Sequence, residues 1–279
     1  MDNLENWISK EEDTEELLLL CHTTKWKYFE KIIKENKLST IFSKYPDPNP
    51  WKKKEEDLIY LFYGLPFYIY ETGEGNEINC EVTEDLPIGL IFKSDLALET
   101  DRFYPFDTGA LLSNRYKGLL DIENDADLNT YKVNITNGIE MKKLVKRYYQ
   151  INEKYCYGIF DNSISTAHAK EENLVRLFRQ ESKSEIDLRN RAIEVHSLKD
   201  INISENLIAI IFPRVRTNKY QYIKNGIEKL SPNIDIRYYN DLTRYNSESI
   251  RNALLEATMS YYNEKHPTLF SYDRLEAQV

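Results

Sequence analysis

Four neighbouring residues near the amino end, Cys21-His22-Thr23-Thr24, gather a thiol, an imidazole and two hydroxyls behind the apolar run Leu17-Leu18-Leu19-Leu20 and ahead of a helix-like segment from Lys25 to Lys37. A strand that delivers such donors to its own end, where a helix begins, offers them at the rim of a sheet, a usual place for small ligands. Three other stretches carry groups of chemical interest. Tyr60 to Tyr70 is crowded with aromatic rings, Tyr104-Pro105-Phe106-Asp107-Thr108-Gly109-Ala110 is a turn with polar side chains, and Arg189 to Ser197 holds Arg189, Arg191, Glu194 and His196. Each also has an ordinary reading. His22 alone is a hydrogen-bonded structural histidine, and Glu194, alternating with Ile193 and Val195, is the solvent-facing residue of a half-buried strand. The rings belong to core and cross-strand pairs, and Asp107 is a turn former.

The common signatures are absent. His22, His168, His196 and His266 are scattered, with no HExxH and no carboxylates at ligand spacing, so no metal site is expected. There is no P-loop, no GxGxxG and no GxSxG. With 37 Lys and Arg against 46 Asp and Glu, the net charge of −9 argues against non-specific coating of nucleic acid. The basic segment Lys142, Lys143, Lys146 and Arg147, beside Tyr148 and Tyr149, therefore reads as a solvated helix face. Cys21, Cys80 and Cys156 have no CxxC spacing, which fits a reducing, cytoplasmic setting. No apolar run approaches the ~20 residues of a membrane span, and the amino end is acidic, so neither export nor a membrane partner is expected.

The elements that must position these groups follow from periodicity. Leu17 to Cys21 reads as a buried strand, and Trp26, Phe29, Ile32 and Ile33 form one side of the next helix. Residues 39–57, with Pro46, Pro48, Pro50 and Lys52-Lys53-Lys54-Glu55-Glu56, form a long loop and a candidate lid. Strands are expected at 58–63 and 67–70 around a break at Gly64-Leu65-Pro66, then a loop over 71–85 and a strand over 87–92. Residues 121–138 are rich in Asp and Asn and read as an exposed insertion; helices are expected at 141–151 and 167–178. Strands at 192–196, 207–212 and 234–239 and helices at 218–230 and 247–262 complete the chain, the last within a helical element at 245–265. Irregular alternation of short strands and helices gives a single α+β domain over 1–279 and argues against a doubly wound fold.

Taken in order, His22-Thr23-Thr24, the aromatic stretch, the turn at Asp107 and Arg189 to Ser197 resemble the ADP-ribosyltransferase superfamily, in particular its DarT-like branch. The resemblance is carried by about fifteen positions between residues 18 and 213. It implies a split mixed β-sheet with flanking helices around a cleft for NAD, used as substrate with no metal. His22, Thr23 and Thr24 would hold the ribose and nicotinamide ends, and Tyr63 or a neighbouring ring would stack on nicotinamide. Asp107 lies in the place of the family's Thr-Asp-Gly-Asn-like turn. Arg189 or Arg191 would pair with the pyrophosphate, and Glu194 would be the catalytic carboxylate. The family tends to carry an arginine in or near the aromatic segment; Gly64-Leu65-Pro66 has none, so Lys52 to Lys54 or Arg115 would substitute.

The implied chemistry suits these residue types. Leaving of nicotinamide from the ribose develops an oxocarbenium-like cation, which a carboxylate stabilises while orienting or deprotonating the acceptor. The resemblance implies a mono-ADP-ribosyltransferase acting on a nucleic-acid base or a protein side chain, of toxin or phage-defence type, silenced by an antitoxin-like partner or by the 39–57 loop. Two alternatives stand beside it. With water as acceptor the same pocket is an NAD glycohydrolase; without catalysis it is a nucleotide-sensing or partner-binding module.

Overall fold

The computed structural model describes residues 2–12, 16–40, 56–67, 77–79, 86–179, 188–214, 218–231, 233–239 and 244–269. A short helix α1 (Leu4–Ile8) leads to strand β1 (Leu20–Lys25), which runs without a loop into α2 (Trp26–Glu35) and then β2 (Lys37–Leu38). The expected side of α2, Trp26, Phe29, Ile32 and Ile33, is buried. The helix stops at Asn36, which takes a left-handed φ of 52° and donates its N–H to the last carbonyls.

Strands β3 (Ile59–Tyr63), β4 (Glu77–Asn79), β5 (Pro87–Phe92) and β6 (Arg102–Tyr104) follow, then α3 (Thr108–Leu112), α4 (Asp125–Thr130) and β7 (Val133–Asn134). Helices α5 (Ile139–Tyr149), α6 (Asn152–Tyr157) and α7 (Ala169–Phe178) precede a 3-10 turn at Leu188–Arg191 and β8 (Glu194–Ser197). The chain continues through β9 (Ile201–Asn202), α8 (Ile203–Asn206), β10 (Leu207–Pro213), α9 (Asn218–Leu230), β11 (Asp235–Tyr239), β12 (Arg244–Asn246) and α10 (Ser247–Lys265).

Eight strands form one mixed sheet in the order β11-β10-β5-β1-β3-β8-β6-β7. Its pairings are antiparallel except β10 with β11, which are parallel and joined through α9, as a crossover requires. The sheet is nearly cut in two at its centre. β1 matches β5 over six residue pairs but β3 over only two, Leu20↔Tyr63 and Cys21↔Phe62. Beyond Cys21, β1 stays with β5 while β3 stays with β8, so that among the described residues no ladder joins His22–Lys25 to Ile59–Leu61 and the sheet opens between them.

Helices cover both faces of the β1 side. On one face the Trp26 and Phe29 rings lie 5.6 and 5.2 Å from that of Phe212. On the other, α10 comes so close that a Cβ on Gly89 would sit 2.9 Å from Leu254 Cδ1. The closed end of the opening is fastened by backbone. Gly64 N–H donates to Leu19 O at 2.8 Å, Leu18 N–H donates to the Tyr63 hydroxyl at 3.0 Å, and the Tyr262 hydroxyl of α10 donates to Gly64 O.

Several expectations shift. The first strand begins at Leu20, not Leu17, because the backbone at Leu18 and Leu19 is satisfied by the Tyr63 hydroxyl and Gly64 N–H rather than by a ladder. His22, Thr23 and Thr24 thus sit within β1 rather than at its end. Residues 121–138 are not an exposed insertion: they contain α4 and β7, the edge strand paired with β6, and bury Leu128, Tyr131 and Val133. Sparse apolar residues on a polar background hide this pattern. Within the expected 71–85 loop, Glu77–Asn79 pairs with Arg244–Asn246, a partner too distant for a local signal. The expected strand at 67–70 and most of the candidate lid, residues 41–55, lie outside the described residues. The helix at 247–262 is present and extends to Lys265.

Gly64 holds φ at +82°, and a Cβ there would lie 3.0 Å from Leu18 Cδ1 and 3.2 Å from Tyr155 Cε1. Gly64→Ala is therefore expected to destabilise the protein by about 1–3 kcal/mol, measured by chemical denaturation, since it strains the backbone where the two halves of the sheet join.

Candidate active site

Glu194 opens β8 and is 2% exposed. Its cross-strand neighbours are Phe62 on β3 and Tyr104 on β6, so these side chains share its face of the sheet. The turn after β6 brings α3 over the same face. Asp107 caps this helix by accepting from Ala110 N–H at 2.8 Å, which aims the first turn at Glu194. Thr108 N–H donates to Glu194 Oε2 at 3.2 Å and the Thr108 hydroxyl donates to Oε1. Burial pushes the Glu194 carboxyl up to about 8, against the downward pull of these two bonds.

His196, two residues on and on the same face, is fully buried and places Nε2 2.6 Å from Glu194 Oε1. Its other nitrogen, Nδ1, accepts from Arg102 Nε at 3.3 Å, and Arg102 Nη2 meets Glu56 Oε2 at 2.8 Å. The Tyr60 and Tyr104 rings flank the imidazole at 4.9 and 5.3 Å. A row of side chains, Glu56–Arg102–His196–Glu194–Thr108, thus crosses the sheet from β3's approach to α3.

His22 stands where β1 leaves β3. Gly64 N–H reaches Leu19 while Tyr63 N–H reaches Ile193, so even-numbered backbone groups of this strand face β1. Tyr60 O consequently points into the opening, where no strand partner remains. His22 Nδ1 fills the gap at 2.7 Å. A carbonyl only accepts, so Nδ1 carries a proton and Nε2 is left as the variable nitrogen. The half-buried ring is held below its ordinary pKa by burial, with the bond to Tyr60 opposing. By alternation from Cys21↔Phe62, His22 leaves β1 on the face opposite Glu194, and its ring turns into the opening instead. The two groups do not touch: Tyr60 stands between them, its carbonyl on His22 and its ring on His196.

Thr23 Oγ1 is buried with no hydrogen-bond partner among the described residues, and Thr24 is half-buried on the same strand. Cys21 is inert as a nucleophile, its thiol pushed up to about 12 by burial. Tyr63 is fully buried, accepting from Leu18 N–H and packing on Tyr155, so Tyr60 is the half-exposed ring of this strand. Of the two arginines, Arg189 is buried with Nε 4.0 Å from Asp107 Oδ2. Among the described residues Arg191 has no ion-pair partner. Its Nε is buried without a hydrogen bond, its guanidinium lies 5.8 Å over the Phe67 ring, and a Cβ on Gly158 would sit 1.0 Å from Nη1. Burial pulls Arg191 below its ordinary pKa. Arg115 is half-buried just beyond α3, while Lys52 to Lys54 fall outside the described residues.

Sequence reasoning missed Thr108 and His196 as partners of Glu194, and Arg102 and Glu56 behind His196. The Glu194-x-His196 spacing is a legible same-face signal on a strand; the other three arrive through register and the turn after β6. Among the described residues no group of three His, Cys, Asp or Glu is placed to hold a metal ion, and no helix is long and apolar enough to cross a membrane. No protein-family model and no curated protein sequence matches this chain.

Glu194 binds its proton more tightly in the folded protein than in the unfolded chain, so its contribution to stability is full below about 4.5 and is lost as pH rises through about 8. Glu194→Gln removes this loss. Its stability relative to wild type, measured by denaturation between pH 5 and 8, is expected to improve by up to about 1.4 kcal/mol per pH unit.

Proposed function

We propose that this protein is a mono-ADP-ribosyltransferase that uses NAD as substrate and modifies a macromolecular acceptor. What carries the reading is the adjacency of β1, β3 and β8: the histidine strand, the aromatic strand and the glutamate strand, far apart in sequence, are successive neighbours at the place where the sheet parts. Such an arrangement is what the resemblance to the DarT-like ADP-ribosyltransferases implies, with NAD seated along the opening.

In this reading His22 Nε2, Thr23 and Thr24 bond the ribose and nicotinamide ends, Tyr60, which stands between His22 and Glu194, shifts so that both reach one ribose and supplies the ring face first assigned to Tyr63, and Arg191 meets the pyrophosphate. Asp107 acts one step back, fixing α3 so that Thr108 holds Glu194. As the C–N bond breaks, nicotinamide leaves with the bonding electrons and Glu194 stabilises the cationic ribose carbon. The acceptor then attacks that carbon and gives up its proton through Glu194 or to solvent. Because Glu194 is 2% exposed, the reaction requires the chain covering it to withdraw when substrate enters. The acceptor is a nucleic-acid base or a protein side chain in a toxin or phage-defence setting in the cytoplasm, and an antitoxin-like partner would silence the enzyme.

The test is transfer of label from NAD into a cell lysate, followed by separate nuclease and protease digestion to show which polymer retains it. Glu194→Gln is expected to lower incorporation at least ~100-fold, and the wild-type rate is expected to climb with pH up to about 8 as Glu194 ionises. Release of free ADP-ribose with no labelled polymer would replace transfer by hydrolysis. Consumption of no NAD at all, by folded protein, would end the enzymatic reading.

A further inference from the structure

Arg102 and His196 form a contact whose chemistry has only one solution. A guanidinium has no acceptor, so the 3.3 Å bond from Arg102 Nε requires a lone pair on His196 Nδ1. The imidazole must then carry its proton on Nε2, and the 2.6 Å contact with Glu194 Oε1 must be a donation to the carboxyl group. Arg102 is itself held by Glu56 at 2.8 Å, and its side chain is 9% exposed. The order of donors is thereby set along the row: Arg102 to His196, His196 to Glu194.

We infer that His196 is a positioning residue for Glu194, locked by Arg102 into the Nε2–H tautomer so that Glu194 Oε1 is held as an acceptor on the face of β8 that Thr108 covers. The inference deepens the proposed function and rests on Glu194 being the carboxylate of the site. His196 touches neither substrate nor reacting atoms in this role. Together with the hydroxyl and N–H of Thr108 it makes three donors converging on one buried carboxyl group, which favours the ionised form against the cost of burial. Tyr60 and Phe62 face the pair from β3, Arg102 and Tyr104 from β6, and Thr108 from α3, with Glu56 behind Arg102. Among these, Arg102 is the cation whose position selects the tautomer.

Two spectroscopic readouts test this without using NAD. Nitrogen-15 NMR of labelled histidine should show His196 as the neutral Nε2–H tautomer near pH 8. Arg102→Met should convert it to a mixture, while Arg102→Lys, whose ammonium can also only donate, should restore it. Carbon-13 titration of Glu194 should move about one pH unit upward in His196→Leu, a tenfold tighter proton, and return in His196→Gln, whose amide offers a donor at the same reach. An Nδ1–H tautomer in the wild type, a doubly protonated ring at that pH, or an unmoved Glu194 midpoint in folded His196→Leu would overturn the inference. If His196→Leu does not fold, the wild-type tautomer and its response to Arg102→Met decide. Because neither readout involves turnover, loss of the transferase reading and loss of this one give different results.

Discussion

The architecture turns on a two-pair seam. Leu20↔Tyr63 and Cys21↔Phe62 are the whole of the ladder between the halves of an eight-stranded sheet; His22 lies where that ladder stops, and Glu194 one strand beyond its last rung. A strand edge left open inside a protein exposes backbone groups that must find partners. Tyr60 O is one, and His22 is the side chain that satisfies it. At the closed end the same need is met by Gly64, Leu19, the Tyr63 hydroxyl and Tyr262 of α10. The opening exists because side chains replaced strand hydrogen bonds on one side of the seam and a tight backbone turn fixed the other.

A second constraint is the burial of Glu194. A carboxylate removed from water is expensive unless hydrogen-bonded, and one so placed without donors would simply hold its proton. Thr108 and His196 supply donors from two elements, and Arg102 on β6 with Glu56 on the approach to β3 extends the arrangement. The row is thereby tied together across β8, β6 and α3.

Much of the strand and helix content was legible from local pattern: the α2 stripe, the aromatic strand ending at Gly64, the apolar strands at 87–92 and 207–213, and the last helix. These are segments where burial repeats at the period of the element. The polar stretch at 121–138 misled because its buried Leu128, Tyr131 and Val133, with Ile122 and Ile135 partly buried beside them, are too few to stand out against Asp and Asn. Tyr63 and Tyr60 differ in role by alternation alone, and which of them faces the opening depends on which face of β3 is covered by other parts of the chain.

What the sequence determined by itself was the list of reactive groups and the elements that carry them: an imidazole with two hydroxyls on an early strand, a ring-rich strand, a turn at Asp107, and Glu194 with His196 two residues beyond. Local periodicity is enough for that, because strand and helix faces repeat over a few residues. Which groups meet was decided by tertiary structure. Thr108 on Glu194, Arg102 on His196 and His22 on Tyr60 O are contacts between residues 38 to 94 positions apart. Strand order, register and the early end of one ladder fix them, and these arise from packing of the whole sheet rather than from any stretch of it.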